Sequence, residues 1–230
     1  MLVKLLNILY NFIHIMKDKG VLNMNTIVYL IKHADELKEN GIKITNDTTQ
    51  LMNEKYILSI KGEEQSRNLS ENHELKNIDV LWSSSYARAK ATAKYIAYRN
   101  NIEINIDSSL NERRLGNLED LSKWMENKKC GVVQAYLQDR NWKARDGESC
   151  NEATSRITSF LQKILKENVG RKIALVSHGA LISFLLTNWC ELNKETELVF
   201  NNKVIEIKEP SITKLIFNEE KIIDIKSIEI

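Results

Sequence analysis

From residue 26 onward, short apolar runs rich in β-branched residues alternate with longer stretches whose apolar positions recur at helical spacing. Thr26–Ile31 (TIVYLI), Ile78–Trp82 (IDVLW) and Ile173–Ser177 (IALVS) are brief and apolar, as expected of strands buried on both faces. Glu103–Ile106 reads as a shorter strand. Between them, Ser59–Asn72 carries charges throughout and predicts an exposed helix. Tyr86–Arg99 predicts an alanine-rich helix with Lys90 and Lys94 on one side, and Glu152–Glu167 a long amphipathic one. The apolar stretch Ala180–Trp189 predicts a buried helix. Beyond residue 200 the pattern changes to three β runs, Lys203–Lys208, Ile212–Phe217 and Lys221–Ile228. Strands alternating with helices predict an α/β fold, a three-layer α/β/α sandwich around a mainly parallel mixed sheet.

The first residues follow another pattern. Leu2–Met16 (LVKLLNILYNFIHIM) is too short and too polar to span a bilayer, and no small-residue cleavage site follows it. Leu5, Ile8, Phe12, Ile15 and Met16 recur at helical spacing. Residues 1–25 are therefore read as an N-terminal extension: a docked amphipathic helix, a mis-assigned start with Met24 as the true first residue, or a membrane contact short of stable insertion. Residues 26–230 are read as one domain.

Composition narrows the function. Hydrophobic residues make up 43% of the chain and charged residues 28%, ordinary values that exclude a disordered chain and a membrane bundle. The formal charge is +2, from 33 Lys and Arg against 31 Asp and Glu. Such a balance gives no global attraction to nucleic acid, so any anion preference is local. Cys130, Cys150 and Cys190 are too few and too scattered for a disulfide framework or a zinc site, which fits a reducing cytoplasm.

A local preference is visible. Each of the three long apolar strands runs into residues able to bind phosphate: Lys32-His33 after the first, Ser83-Ser84-Ser85 and then Arg88 after the second, His178-Gly179 after the third. In an open parallel sheet, ligands bind beyond the carboxyl ends of the strands, where helix N-termini also favour anions. Two histidines, a lysine and an arginine converging there would form a basic pocket in a nearly neutral protein. His14 and His73 have no such context.

The segments in their order resemble the histidine phosphatase superfamily, the group that includes phosphoglycerate mutases and their phosphatase relatives. Lys32-His33-Ala34 resembles the family's Arg-His-Gly. Leu58-Ser59-Ile60-Lys61-Gly62-Glu63-Glu64-Gln65 resembles its Leu-Thr-x-x-Gly-x-x-Gln. Ser83-Ser84-Ser85-Tyr86-Ala87-Arg88-Ala89 with Thr92-Ala93 is similar to its serine-rich turn. Leu110-Asn111-Glu112-Arg113-Arg114-Leu115-Gly116 is similar to its acid-bearing loop, with Glu119 where a second glutamate often follows. Gly147-Glu148-Ser149 and Val176-Ser177-His178-Gly179 complete the set, and the fold implied is phosphoglycerate mutase-like.

The resemblance implies a nucleophilic His33, a phosphohistidine intermediate, Glu112 as acid and then base, and Lys32, Arg88 and His178 around the phosphoryl oxygens. It implies no metal and no cofactor. The partner implied is a small-molecule phosphoester, with oligomeric state left open. Lys32 departs from the family's arginine, keeping the charge but losing the planar fork, and Glu36 stands where a small hydroxyl residue is common. Only residues 113–146 separate Glu112 from Gly147. So short a segment leaves an open pocket and favours hydrolysis over the water-excluding mutase reaction. The expected function is therefore a metal-independent phosphatase on small phosphomonoesters. The alternatives are a weakened or inactive phosphate-binding relative and a phosphoglycerate mutase. The basic and tryptophan-bearing stretch from Trp124 to Arg145 is read either as a lid over the substrate or as packing and solvated charge.

Overall fold

The computed structural model describes residues 25–37 and 46–230. The amphipathic reading of Leu2–Met16 and the alternative start at Met24 lie outside those residues.

Six strands form the main sheet in the order β3-β2-β4-β1-β8-β9. They are β1 (Asn25–Lys32), β2 (Val80–Ser83), β3 (Ile104–Ile106), β4 (Lys172–Ser177), β8 (Ser211–Asn218) and β9 (Lys221–Ile228). The first four run parallel, and the β8–β9 hairpin joins antiparallel along β1, so the sheet is mixed but mainly parallel as expected. Alternation along the central strands feeds two cores. Tyr29 and Ile31 of β1 with Ala174 and Val176 of β4 pack toward α2 (Ile60–Ser70) and α3 (Ala87–Asn100). Val28 and Leu30 with Ile173 and Leu175 pack toward α6 (Cys150–Glu167) and α7 (Gly179–Leu186). Helices thus cover both faces, the expected three-layer sandwich.

Local chemistry sets the helix boundaries. Ser149 and Glu152 form a reciprocal capping box that starts α6. Asn101, in the left-handed conformation, closes the alanine-rich α3. Ser59 caps α2 by accepting from the Gly62 N–H. That helix is not simply exposed, since Gly62, Ser66, Leu69 and Ser70 are buried.

Several elements lack a strong sequence pattern: α1 (Asn46–Lys55), α4 (Leu118–Met125), α5 (Val132–Gln138) and the small antiparallel sheet of β5 (Glu191–Leu192), β6 (Leu198–Phe200) and β7 (Lys203–Val204). The expected strand over Lys203–Lys208 shortens to β7, where Lys203 and Val204 stand opposite Phe200 and Val199 of β6. Trp124 and Trp142 stack with centroids 3.8 Å apart, and Tyr136 meets both edge-on. The tryptophans therefore pack the base of α4 and α5. Among the described residues no helix is long and apolar enough to cross a membrane.

The strand ends are held in register for function. Lys32 pairs with Ser177 and Ser83 with Val176, so the motifs that follow emerge side by side at one edge. The turn after β1 is pinned by residues from the second and third motifs. Asp35 N–H donates to Gln65 Oε1 (3.0 Å), Ser59 Oγ donates to Asp35 Oδ2 (2.5 Å), and Ala34 N–H donates to Thr92 Oγ1 (3.1 Å). Gly62 is what allows this approach, because a Cβ there would lie 2.0 Å from the Asp35 carbonyl oxygen. We predict that Gly62→Ala destabilises the fold by about 1–3 kcal/mol through overpacking, read as a lower urea midpoint. An unchanged midpoint would show that the turn after β1 is free to move.

Candidate active site

Arg88, in the first turn of α3, organises the edge where the strands end. It is 3% exposed. The Nη1/Nη2 end of its guanidinium is clasped by Asn53 of α1, Nη1 donating to the Asn53 carbonyl and Nη2 to Asn53 Oδ1 (3.0 Å). The carbonyl belongs to the last turn of α1, where the helix dipole favours a cation. The Nε/Nη2 side of the guanidinium faces two imidazoles. Nε donates to His33 Nε2 (3.0 Å), and Nη2 bonds His178 Nδ1 (3.1 Å). The rings of His33 and His178 lie 5.1 Å apart between centroids.

Because arginine is always a donor, these contacts set the tautomers. His33 Nε2 carries a lone pair toward Arg88, and Nδ1–H donates to the Ala34 carbonyl at 2.8 Å. His178 is the mirror case. Nδ1 accepts from Arg88, so Nε2–H donates to Ser84 Oγ (2.8 Å), and Ser84 Oγ donates in turn to Asn111 Oδ1 (2.9 Å). Burial first, and then the neighbouring His33, Arg88, Arg156 and Lys32, hold the His178 pKa well below the usual histidine range. Tyr86 packs its ring 4.9 Å from that of His178, and burial pushes its phenol up to about 12.

The acid loop reaches the same edge. Glu112 Oε1 accepts from the Arg113 and Leu181 N–H groups (2.9 and 3.1 Å), and Oε2 accepts from Ala180 N–H (3.2 Å), which places the carboxyl on the N-terminus of α7. Arg156 anchors the loop from behind. Its guanidinium pairs with Glu148 (2.7 Å) and donates to the carbonyls of Ser109 and Asn111.

His33, Lys32, Arg88 and Glu112 line one cavity of about 870 Å³. Its outer wall comes from α5, through Val132 and Leu137, and from the chain after β6, through Val204 to Glu209. Two cations at its inner end already have carboxylate partners: Glu36 Oε2 lies 2.9 Å from Arg88 Nε, and Glu209 Oε2 lies 2.9 Å from Lys32 Nζ.

The structure therefore brings together all five residues singled out by sequence, but in two ranks. His33, Lys32, Arg88 and Glu112 face the cavity. His178 was expected to surround the phosphoryl oxygens, yet it is completely buried behind Arg88 with both ring nitrogens engaged by protein groups. Glu119, in the first turn of α4, lies outside the cavity wall, and Lys128, Lys129, Arg140, Lys143 and Arg145 do not line it either. None of the residues named for the lid lines the cavity, and from that stretch only α5 contributes to the wall. Sequence reasoning missed Asn53 and Glu209, which carry no motif. It also missed the anchoring pair Glu148–Arg156, for which Gly147-Glu148-Ser149 was the available signal. Among the described residues no group of three or more His, Cys, Asp or Glu side chains is placed to hold a metal ion.

Comparison with known proteins agrees with this fold. Residues 28–224 match the family described as the histidine phosphatase superfamily (branch 1), and the chain belongs to that family. It is 29% identical over 167 residues to the probable phosphoglycerate mutase GpmB of Citrobacter koseri, covering 70% of this chain and 73% of the relative. Among solved structures, the phosphoglycerate mutase of Bacillus anthracis superposes with a TM-score of 0.66 at 17% identity, covering 90% of this chain and 93% of that one. The phosphoserine phosphatase of Entamoeba histolytica, in complex with 3-phosphoglyceric acid, gives 0.60 at 20% identity, covering 89% and 98%. At these identities the structures show the shared fold.

A buried neutral His178 has a measurable consequence. Its folded-state pKa is depressed, so below the unfolded value near 6.5 the unfolded chain binds more protons than the folded one. The stability tied to this group is complete above that pH and is lost as pH falls below it, by about 1.4 kcal/mol per unit until the folded pKa is reached. We predict that wild type loses more stability than His178→Asn between pH 7 and pH 5, read from urea midpoints. Parallel losses would mean that His178 is charged in the folded state.

Proposed function

We propose that the protein is a metal-independent phosphomonoester hydrolase acting through a phosphohistidine on His33. The observation that carries this reading is the state of that imidazole. Its Nδ1 proton is committed to the Ala34 carbonyl, and its Nε2 lone pair sits at the inner wall of a cavity beside a guanidinium. In the first step Nε2 forms a bond to phosphorus as the ester P–O bond breaks, and Glu112 gives a proton to the departing alkoxide. In the second, Glu112 takes a proton from water, whose oxygen attacks the phosphohistidine. Inorganic phosphate leaves and the His33 lone pair is restored. Splitting the displacement in two lowers each barrier, and Arg88 and Lys32 meet the charge on the transferring oxygens. His178 acts as a positioning residue, holding Arg88 toward His33. The open cavity and the short 113–146 segment support hydrolysis.

Glu36 supports a second feature, restrained activity. A phosphoryl group that reaches Arg88 Nε displaces a carboxylate already there, and Glu209 competes for Lys32 in the same way. This arrangement keeps the alternative of an attenuated phosphate-binding relative in play. The names of the curated relatives keep the mutase alternative, tested by interconversion of 3- and 2-phosphoglycerate.

Turnover separates the readings. Wild type should release p-nitrophenol from p-nitrophenyl phosphate with a burst, and His33→Ala should abolish both burst and turnover. Glu112→Gln should slow alkyl phosphates far more than p-nitrophenyl phosphate, whose leaving group needs little protonation. Equal slow hydrolysis by wild type and His33→Ala would end the hydrolase reading. For Glu36→Thr we predict about tenfold tighter inhibition by inorganic phosphate, on the order of 1.4 kcal/mol, because a like charge leaves Arg88. Unchanged inhibition would show that Glu36 does not compete.

A further inference from the structure

Among the described residues, few buried side-chain polar atoms lack a hydrogen-bond partner, and one of them is Nδ2 of Asn53, a residue of the cavity wall. Asn53 is 9% exposed and lines the cavity beside His33, Glu36 and Arg88. Its amide orientation is not arbitrary. Arg88 Nη2 donates to Oδ1 at 3.0 Å, so the reverse orientation would set two donors against each other. The NH2 group is thereby turned away from the guanidinium and left with two unused protons. An unmet buried donor is costly, and native structures keep one where water or a ligand completes it.

The surrounding chemistry says which kind of ligand suits it. The nearby donors of Arg88 are all engaged, by Asn53 itself, by His178, and by His33 and Glu36. Glu36 meanwhile contributes no donor where a hydroxyl residue is common in the family. We propose that Asn53 is a binding residue for the phosphoryl group. In this role Nδ2 donates to a non-bridging oxygen once the group takes the place of the Glu36 carboxylate on Arg88 Nε. The proposal rests on the preceding reading for the location of the phosphoryl group, though not for its hydrolysis. Asn53 thus has two separable functions. Its carbonyl oxygens steady Arg88, and its amide nitrogen touches the anion directly. The second supplies a neutral donor from α1 beside Glu36, whose carboxylate offers none.

Side-chain NMR of the full chain tests the contact without relying on turnover. The Asn53 amide pair, assigned by its disappearance in Asn53→Asp, should shift downfield and gain protection from exchange when inorganic phosphate is added to saturation. A pair that stays unmoved overturns the proposal. A second measurement separates direct contact from action through Arg88. Vanadate, a mimic of the transferring phosphoryl group, should bind about tenfold more weakly to Asn53→Ala than to wild type. The same further loss should appear when Asn53→Ala is added to Arg88→Ala. If Arg88→Ala and the double variant bind vanadate equally, Asn53 only positions Arg88 and the proposal fails. A moving amide together with His33-independent hydrolysis would sink the hydrolase reading and leave the contact standing. A silent amide with His33-dependent turnover would sink the contact alone.

Discussion

A single guanidinium joins four separate parts of the chain. Arg88 is buried, and a buried charge is tolerable only when its donors are met. Asn53 of α1 meets one end of the fork, and the imidazoles of His33 and His178 meet the side. Because the arginine is always a donor, it imposes opposite tautomers on two rings 5.1 Å apart. One ring is left with a lone pair at the cavity. The other is locked into a chain of hydrogen bonds through Ser84 to Asn111, next to Glu112 in the acid loop. The His33 imidazole, the guanidinium and the loop that carries Glu112 are thus coupled through one side chain.

The remaining motif residues serve that arrangement from a distance. Gln65, Ser59 and Thr92 do not themselves line the cavity, yet they tie down Asp35 and Ala34, and the Ala34 carbonyl sets the His33 tautomer. Gly62 lets α2 approach closely enough for this to happen. Glu148 and Arg156 hold the backbone that presents Asn111 and Glu112. Parallel pairing of β1, β4 and β2 supplies the common edge, since a one-residue slip would turn each strand end to the opposite face.

The parallel strands were legible as short, continuously apolar β-branched runs, and the long helices by the period of their apolar positions. TIVYLI and IALVS are buried on both faces, and α6 carries a capping box beneath a regular apolar stripe. The small β5–β7 sheet was not legible, since pairs of two or three residues carry no period. The same is true of α1, which is short and largely polar. At the site, convergence of the strand-end residues followed from topology. The concealment of His178 did not, because side-chain rank within a cluster depends on packing that no motif encodes. Nor did the carboxylates on Arg88 and Lys32, for Glu209 comes from a distant loop and Glu36 is a departure from the family pattern.

The protonation pattern of the two imidazoles is the most direct readout of this design. In long-range 15N–1H spectra at neutral pH, the ring of His33 should show its proton on Nδ1 and an unprotonated Nε2. The ring of His178 should show the reverse. Arg88→Ala should free the His178 tautomer, because the donor that enforces it is gone, whereas the Ala34 carbonyl keeps the His33 proton on Nδ1. If both rings carry the same tautomer in wild type, or if the proton of His33 resides on Nε2, then Arg88 does not organise the site and the assignment of His33 as nucleophile has lost its physical basis.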